Sequence, residues 1–295
     1  MIYIIEDAIN GILMGSIYGL TALGLTIIFG VLKVINFAHG SLLMVGMYLA
    51  YFAISLTGVH PYISLIIVIP AMYFFGYYLQ DFLIKPTFKA EKNVREPVTV
   101  IIITTGVWYI LDNLALLLLG PEYRSLPANP LRGKMLEIGE MMISVPKIWG
   151  CVTALITAGG IYYFFQYTRM GRAIRATSLD RDAASLSGIN QYKIYNIAFG
   201  IGTAVAGIAA VTLIPFNNTF PTVGVLFDIK GFIIVVLGGL GSIGGAIIGG
   251  IIVGLIESVG PQFMTATWTE AIVYGLFLTV LFVKPSGLFG EKNDW

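Results

Sequence analysis

The sequence predicts an all-α protein, a bundle of helices that crosses a lipid bilayer many times, and three observations carry that expectation. Of its 295 residues, 57% are hydrophobic and only 11% charged, against about 45–50% and about 25% in an ordinary soluble domain. Mean hydropathy is +0.86. Apolar runs of about 18–25 residues, each long enough to cross a hydrocarbon core as a helix, recur along the whole chain, and none shows the two-residue alternation of a membrane barrel. Backbone amides in lipid must be satisfied within their own segment, so such runs have to be helical. Residues 1–295 are read as a single transmembrane domain.

The first segment, 8–32, follows an acidic start with Glu6 and Asp7. It is too long for a signal-peptide core and is expected to stay as a helix. Further apolar segments fall at about 38–57, 61–84, 97–119, 146–166, 194–214, 227–257 and 269–284, eight in all. Cys151, the single cysteine, sits in one of them, so no internal disulfide can form. Basic residues concentrate in two connections, Lys85, Lys89, Lys92 and Arg95 in one and Arg169, Arg172, Arg175, Arg181 and Lys193 in the other. The positive-inside rule assigns both to the cytoplasm. The connections at 58–60 and 215–226 carry no Lys or Arg, and in 120–145 Arg124, Arg132 and Lys134 are matched by Glu122, Glu137 and Glu140. Those three belong outside, with the N-terminus.

Eight simple crossings from an outside N-terminus would leave Lys284 and Lys292 outside, against the same rule. The segment 227–257 resolves the conflict. Unbroken, it would be roughly 45 Å long at 1.5 Å per residue, and it contains GGLGSIGG at 238–245. That many glycines disfavour a continuous helix, so a discontinuous or re-entrant element is expected there, with a cytoplasmic C-terminus. A fainter echo lies at 36–46, NFAHGSLLMVG, where Gly40 and Ser41 open an apolar run as Gly241 and Ser242 do later. Repeated halves with broken helices at matching positions are common in transporters, although GxxxG-type packing uses the same residues.

No catalytic or metal-binding constellation is visible. His39 and His60 flank one helix, and there is no HExxH, no GxSxG and no cluster of metal-ligand spacing. The glycine run 238–245 has no following Lys, so it is not a phosphate loop and the chain is not expected to hydrolyse ATP by itself. Nor does a net charge of +1 point to nucleic acid. Asn36, His39 and Ser41 at one glycine-flanked turn are candidates to line a polar path, because buried polar groups in a bilayer need a partner or a cavity. Asp112, beside Asn113, is expected to make an interhelical hydrogen bond or to reach the outer interface. The basic stretch 167–193 is compatible with a short amphipathic helix over 172–186, and small residues at Ala183, Ala184 and Gly188 would let another protein approach closely.

Three motifs, NFAHGSLLMVGMY at 36–48, GRAIRATSLDRDAASLSGIN at 171–190 and VLGGLGSIGGAIIGG at 236–250, give the chain a resemblance over almost its whole length to the inner-membrane permeases of branched-chain amino-acid ABC importers, the LivH/LivM family, and most closely to its LivH-like subunit. The resemblance implies a bacterial inner-membrane subunit that pairs with a related LivM-like permease, with two cytoplasmic ATPase subunits that hydrolyse ATP with Mg, and with an external substrate-binding protein. It implies no cofactor on this chain. ABC permeases carry a coupling loop of the pattern EAAxxxG, which Asp182, Ala183, Ala184 and Gly188 match with Asp in place of Glu; Arg172 and Arg175 belong to the same loop. The substrate path is expected near Asn36, His39, Gly40, Ser41, Gly241 and Ser242, with a neutral lining so that a zwitterion is released rather than held. Urea or short-amide importer permeases carry similar motifs and stay open as an alternative, as does an ion-coupled secondary transporter using Asp112.

Overall fold

The computed structural model describes residues 2–90, 98–126, 131 and 133–290; Lys92, Arg95, Arg132 and Lys292, used above to orient the chain, lie outside the described residues. The helices are α1 (Ile2–Leu32), α2 (His39–Thr57), α3 (Leu65–Leu79), α4 (Lys85–Ala90), α5 (Thr99–Leu119), α6 (Val145–Tyr167), α7 (Arg169–Leu179), α8 (Arg181–Leu186), α9 (Gln191–Leu213), α10 (Val223–Gly238), α11 (Ile243–Val259) and α12 (Ala266–Val283). A π turn, Gln80–Ile84, joins α3 to α4 in one continuous span. Among the described residues eight spans are long and apolar enough to cross a membrane; α10, with 16 residues, is about 24 Å long and falls short of that length.

α1 and α9 are buried on nearly every side and form the axis of the bundle, as helices that are apolar all round do. The α1 sequence explains how neighbours pack so closely on it. Gly11, Gly15 and Gly19 recur every fourth residue, on one face, and meet Gly254, Gly250 and Ile247 of α11 backbone to backbone. This is small-residue packing of the kind that brings membrane helices together where burial from water supplies no driving force. α5, α6 and α12 turn most of their surface outward.

The expected break in 227–257 is present. α10 ends at Gly238, and Gly239 and Gly241 take φ of +109° and +88°, the left-handed region that glycine enters without strain. Ser242 then caps α11, its hydroxyl accepting from Gly245 N–H at 3.1 Å. The carbonyls at the end of α10 are taken up by the segment after α12, with Leu288 N–H donating to Leu237 O at 2.9 Å and Phe289 N–H to Gly238 O at 3.0 Å.

One element departs from the all-helical expectation. Within 120–145, read from sequence as an outside loop, strands β1 (Met135–Ile138) and β2 (Met141–Ser144) pair antiparallel with Ile138 opposite Met141. The two-residue connection has Gly139 at φ +65°, the glycine-first turn that matches strand twist.

Candidate functional site

The site is built around the start of α2. Lys33, at φ +57° the one non-glycine residue with positive φ among the described residues, turns the chain out of α1, and residues 33–38 run back along it. His39 Nε2 lies 3.0 Å from the carbonyl of Thr21, about 16 Å short of the end of α1 at 1.5 Å per residue. α2 therefore begins inside the bundle, not at its face. Because a carbonyl only accepts, the bond fixes the proton on Nε2; Nδ1 has no hydrogen-bond partner among the described residues. Gly24 makes the approach possible, since a Cβ there would sit 2.8 Å from His39 Cε1.

Asn36 organises the entry to the helix. Its Oδ1 accepts from Ala38 N–H at 3.0 Å, while its Nδ2 is buried with no partner among the described residues. Ser41, in the first turn, donates to Asp112 Oδ1 at 2.6 Å, and Trp108 Nε1 donates to Asp112 Oδ2 at 2.9 Å. Asp112 is thus the interhelical anchor expected of it, joining α5 to α2, and is buried rather than at an interface. Gly40 meets Gly224 of α10 backbone to backbone, and its N–H donates to the Asp228 carboxylate. Two carboxylates from two helices, close enough to repel one another, therefore converge on the positive end of the α2 dipole.

A cavity of about 330 Å³ opens beside this cluster, with Asn36, Trp108 and Asp228 among apolar walls that include Leu25, Phe232 and Ile233. The sequence leads to the expectation of a neutral lining for the path; this cavity carries the Asp228 side chain in its wall. Asp228 and Trp108 were missed by sequence reasoning. The available signal was an acid two residues before Lys230 inside the apolar run 223–238. Of the predicted path residues, Asn36, His39, Gly40 and Ser41 come together. Gly241 and Ser242 do not join them; they lie in the α10–α11 turn, with Gly241 against Gly30 of α1.

The basic stretch also differs from the single helix expected over 172–186. It forms two helices, because Asp180 leaves the helical conformation and caps the second, its Oδ1 accepting from Asp182 N–H at 2.9 Å and Ala183 N–H at 3.0 Å. Thr168 caps α7 and Asn190 caps α9 in the same way. α8 closes on Gly188 at φ +84°, with Ile189 N–H returning to Ala184 O at 3.0 Å, a Schellman-like end for which glycine is suited. Ala184 is buried, whereas Arg172, Asp182, Ala183 and Gly188 face outward. Arg175 is held by the side chain of Gln166. Leu179 and Leu186 are 80% and 91% exposed on this otherwise polar projection. Among the described residues no group of acids, histidines and cysteines is placed to hold a metal.

Residues 8–281 match the family described as "Branched-chain amino acid transport system / permease component". The chain is 31% identical to the high-affinity branched-chain amino acid transport system permease protein BraD of Pseudomonas aeruginosa, over 98% of this chain and 96% of that one. It is 29% identical to the permease protein LivH of the corresponding Escherichia coli K12 system, over 99% and 97%. A probable branched-chain amino acid transport permease protein LivH of Methanocaldococcus jannaschii is 28% identical over 97% and 92%. No solved structure matches the chain significantly.

Proposed function

Because the chain belongs to the family of permease components of branched-chain amino acid transport systems and is a multi-pass membrane protein, we propose that it is the membrane-spanning subunit of an ATP-driven importer of branched-chain or similar apolar amino acids. It would form half of a translocation path with a related permease. Two cytoplasmic ATPase subunits would hydrolyse ATP with Mg, and an external binding protein would deliver the substrate; the chain itself binds no cofactor in this reading.

The observation that carries the proposal is the α7–α8 projection. Three side-chain caps hold it rigid, and it presents Leu179 and Leu186 to solvent between charged residues. Exposed leucines on a polar, ordered tip are accounted for by a soluble partner that covers them. Closure of the ATPase pair would pull on this tip and rock the permeases between inward-open and outward-open states, provided nucleotide and binding protein favour different states.

Orientation follows the same reading. Gly30 meets Gly241, and Gly239 meets Gly290, so the end of α1, the α10–α11 turn and the segment after α12 share one side. With the N-terminus outside a bacterial cytoplasmic membrane, α1 delivers that side to the cytoplasm, together with Lys33 and Lys284.

Asp182→Lys and Gly188→Trp are expected to abolish ATP-driven leucine uptake by the reconstituted complex while the chain still inserts in the membrane. Wild-type uptake in both variants would remove the coupling assignment. Recovery of the chain alone from its native membrane, transporting without ATP, would remove the importer reading.

A further inference from the structure

The structure leaves an electrostatic imbalance at the α2 entry. Asp112 and Asp228 face one another's field, and among the described residues neither forms an ion pair. Lys230, the nearest base in sequence, is turned to a different neighbour set, with its Nζ 2.8 Å from Glu257 Oε1 and 3.3 Å from the Tyr18 hydroxyl. Asp112 has Ser41 and Trp108 as donors, one to each oxygen. Asp228 meets the N–H of Gly40 and lines the cavity. A carboxylate in a membrane interior is costly unless it meets a cation or several donors.

Asn36, which lines the same cavity, has the opposite deficit. It is 3% exposed, and its Oδ1 accepts from Ala38, which leaves two N–H groups of Nδ2 without an acceptor among the described residues. Leu25, Phe232, Ile233 and Phe277 line the same cavity. An uncompensated acceptor, an unused donor and an apolar wall, in a cavity near the lower end of the about 300–1,000 Å³ typical of small-molecule sites, form the complement of a small zwitterion with an apolar side chain.

We infer that this cavity is a substrate-binding station within the permease, in which Asp228 receives the ammonium group of the amino acid, Asn36 turns its Nδ2, covered in this conformation, to donate to the carboxylate, and the apolar wall receives the side chain. The inference rests on the importer reading and adds the chemistry of recognition to it. It also reconciles a charged lining with release. The Gly40 N–H and the α2 dipole already offset part of the Asp228 charge, so the station holds the ammonium less strongly than a bare carboxylate would, and any shift of α2 against α10 changes the grip.

Two near-isosteric substitutions separate charge from shape. Asp228→Asn keeps an oxygen for Gly40 and removes the charge; Asn36→Asp keeps an oxygen for Ala38 and replaces the donor with a repelling acceptor. Uptake of radiolabelled leucine is measured in proteoliposomes holding the complete complex, with its binding protein and ATP. Each variant is expected to lose at least about ten-fold, the loss of one charge-assisted bond, and Asp228→Glu to retain more uptake than Asp228→Asn. Asp228→Asn within two-fold of wild type, or indistinguishable from Asp228→Glu, overturns the station. If Asp228→Asn fails to assemble, Asn36→Asp decides, and uptake within two-fold of wild type overturns it equally. ATP-independent uptake by the wild-type complex would instead strike the importer reading, whatever the variants do.

Discussion

Gly40→Ala tests the geometry of the site through one methyl group. A Cβ at Gly40 would lie 2.7 Å from the carbonyl carbon of Gly224 and 2.8 Å from Asp228 Cβ, and closer still to the Gly224 oxygen. The obstacle is mostly backbone, so no rotamer change relieves it, and α2 and α10 must separate by roughly 1 Å to restore ordinary contact. Overpacking of this kind costs about 1–3 kcal/mol, which outweighs the at most about 1 kcal/mol that alanine gains over glycine in a helix. At about 2–4 °C per kcal/mol for a large domain, the apparent melting temperature of the purified complex should fall by about 2–10 °C at fixed scan rate. The control is Gly159→Ala, the same change in α6 at a position with nothing within 4 Å, where the propensity gain stands alone and stability should hold or rise slightly. Separation would also lengthen the Gly40–Asp228 bond and disturb Ser41 against Asp112, so leucine uptake should fall with the melting temperature. A Gly40→Ala complex as stable as the Gly159→Ala complex would refute the close α2–α10 contact and with it the placement of Asp228.

Two other perturbations read separate parts of the molecule. Asp180→Ala removes the acceptor for two amides at the start of α8, a loss of about 1 kcal/mol to a helix of six residues that has no length to spare; limited proteolysis should cut within 181–188 faster while the melting temperature of the bundle is unchanged. Lys230→Met strands the largely buried Glu257 without its partner, at a cost on the order of 3 kcal/mol. Lys230→Met with Glu257→Gln should recover most of that stability in a double-mutant cycle, and equal losses in the single and double variants would refute the pairing.

Most of the fold was legible because the bilayer reduces the alternatives to helices of a known minimum length, and because glycine in a long apolar run has few meanings. The break at 239–242 was readable twice over, from composition and from the charge count of the flanking loops. The site was legible only in part. Asn36, His39, Gly40 and Ser41 are neighbours in sequence, so their polar character in an apolar run marked them together. Asp228 arrives from α10 through the contact of Gly40 with Gly224, which no local pattern announces, and its proximity to Lys230 reads in sequence as the end of a span. The matched pairs Gly40–Ser41 and Gly241–Ser242 show how one motif serves two ends. Each opens a helix, but Ser242 turns back to cap its own backbone, whereas Ser41 reaches across to Asp112. The free amides at the start of α2 are left for tertiary partners, and it is that unfilled local need which draws Asp228 to the cavity wall.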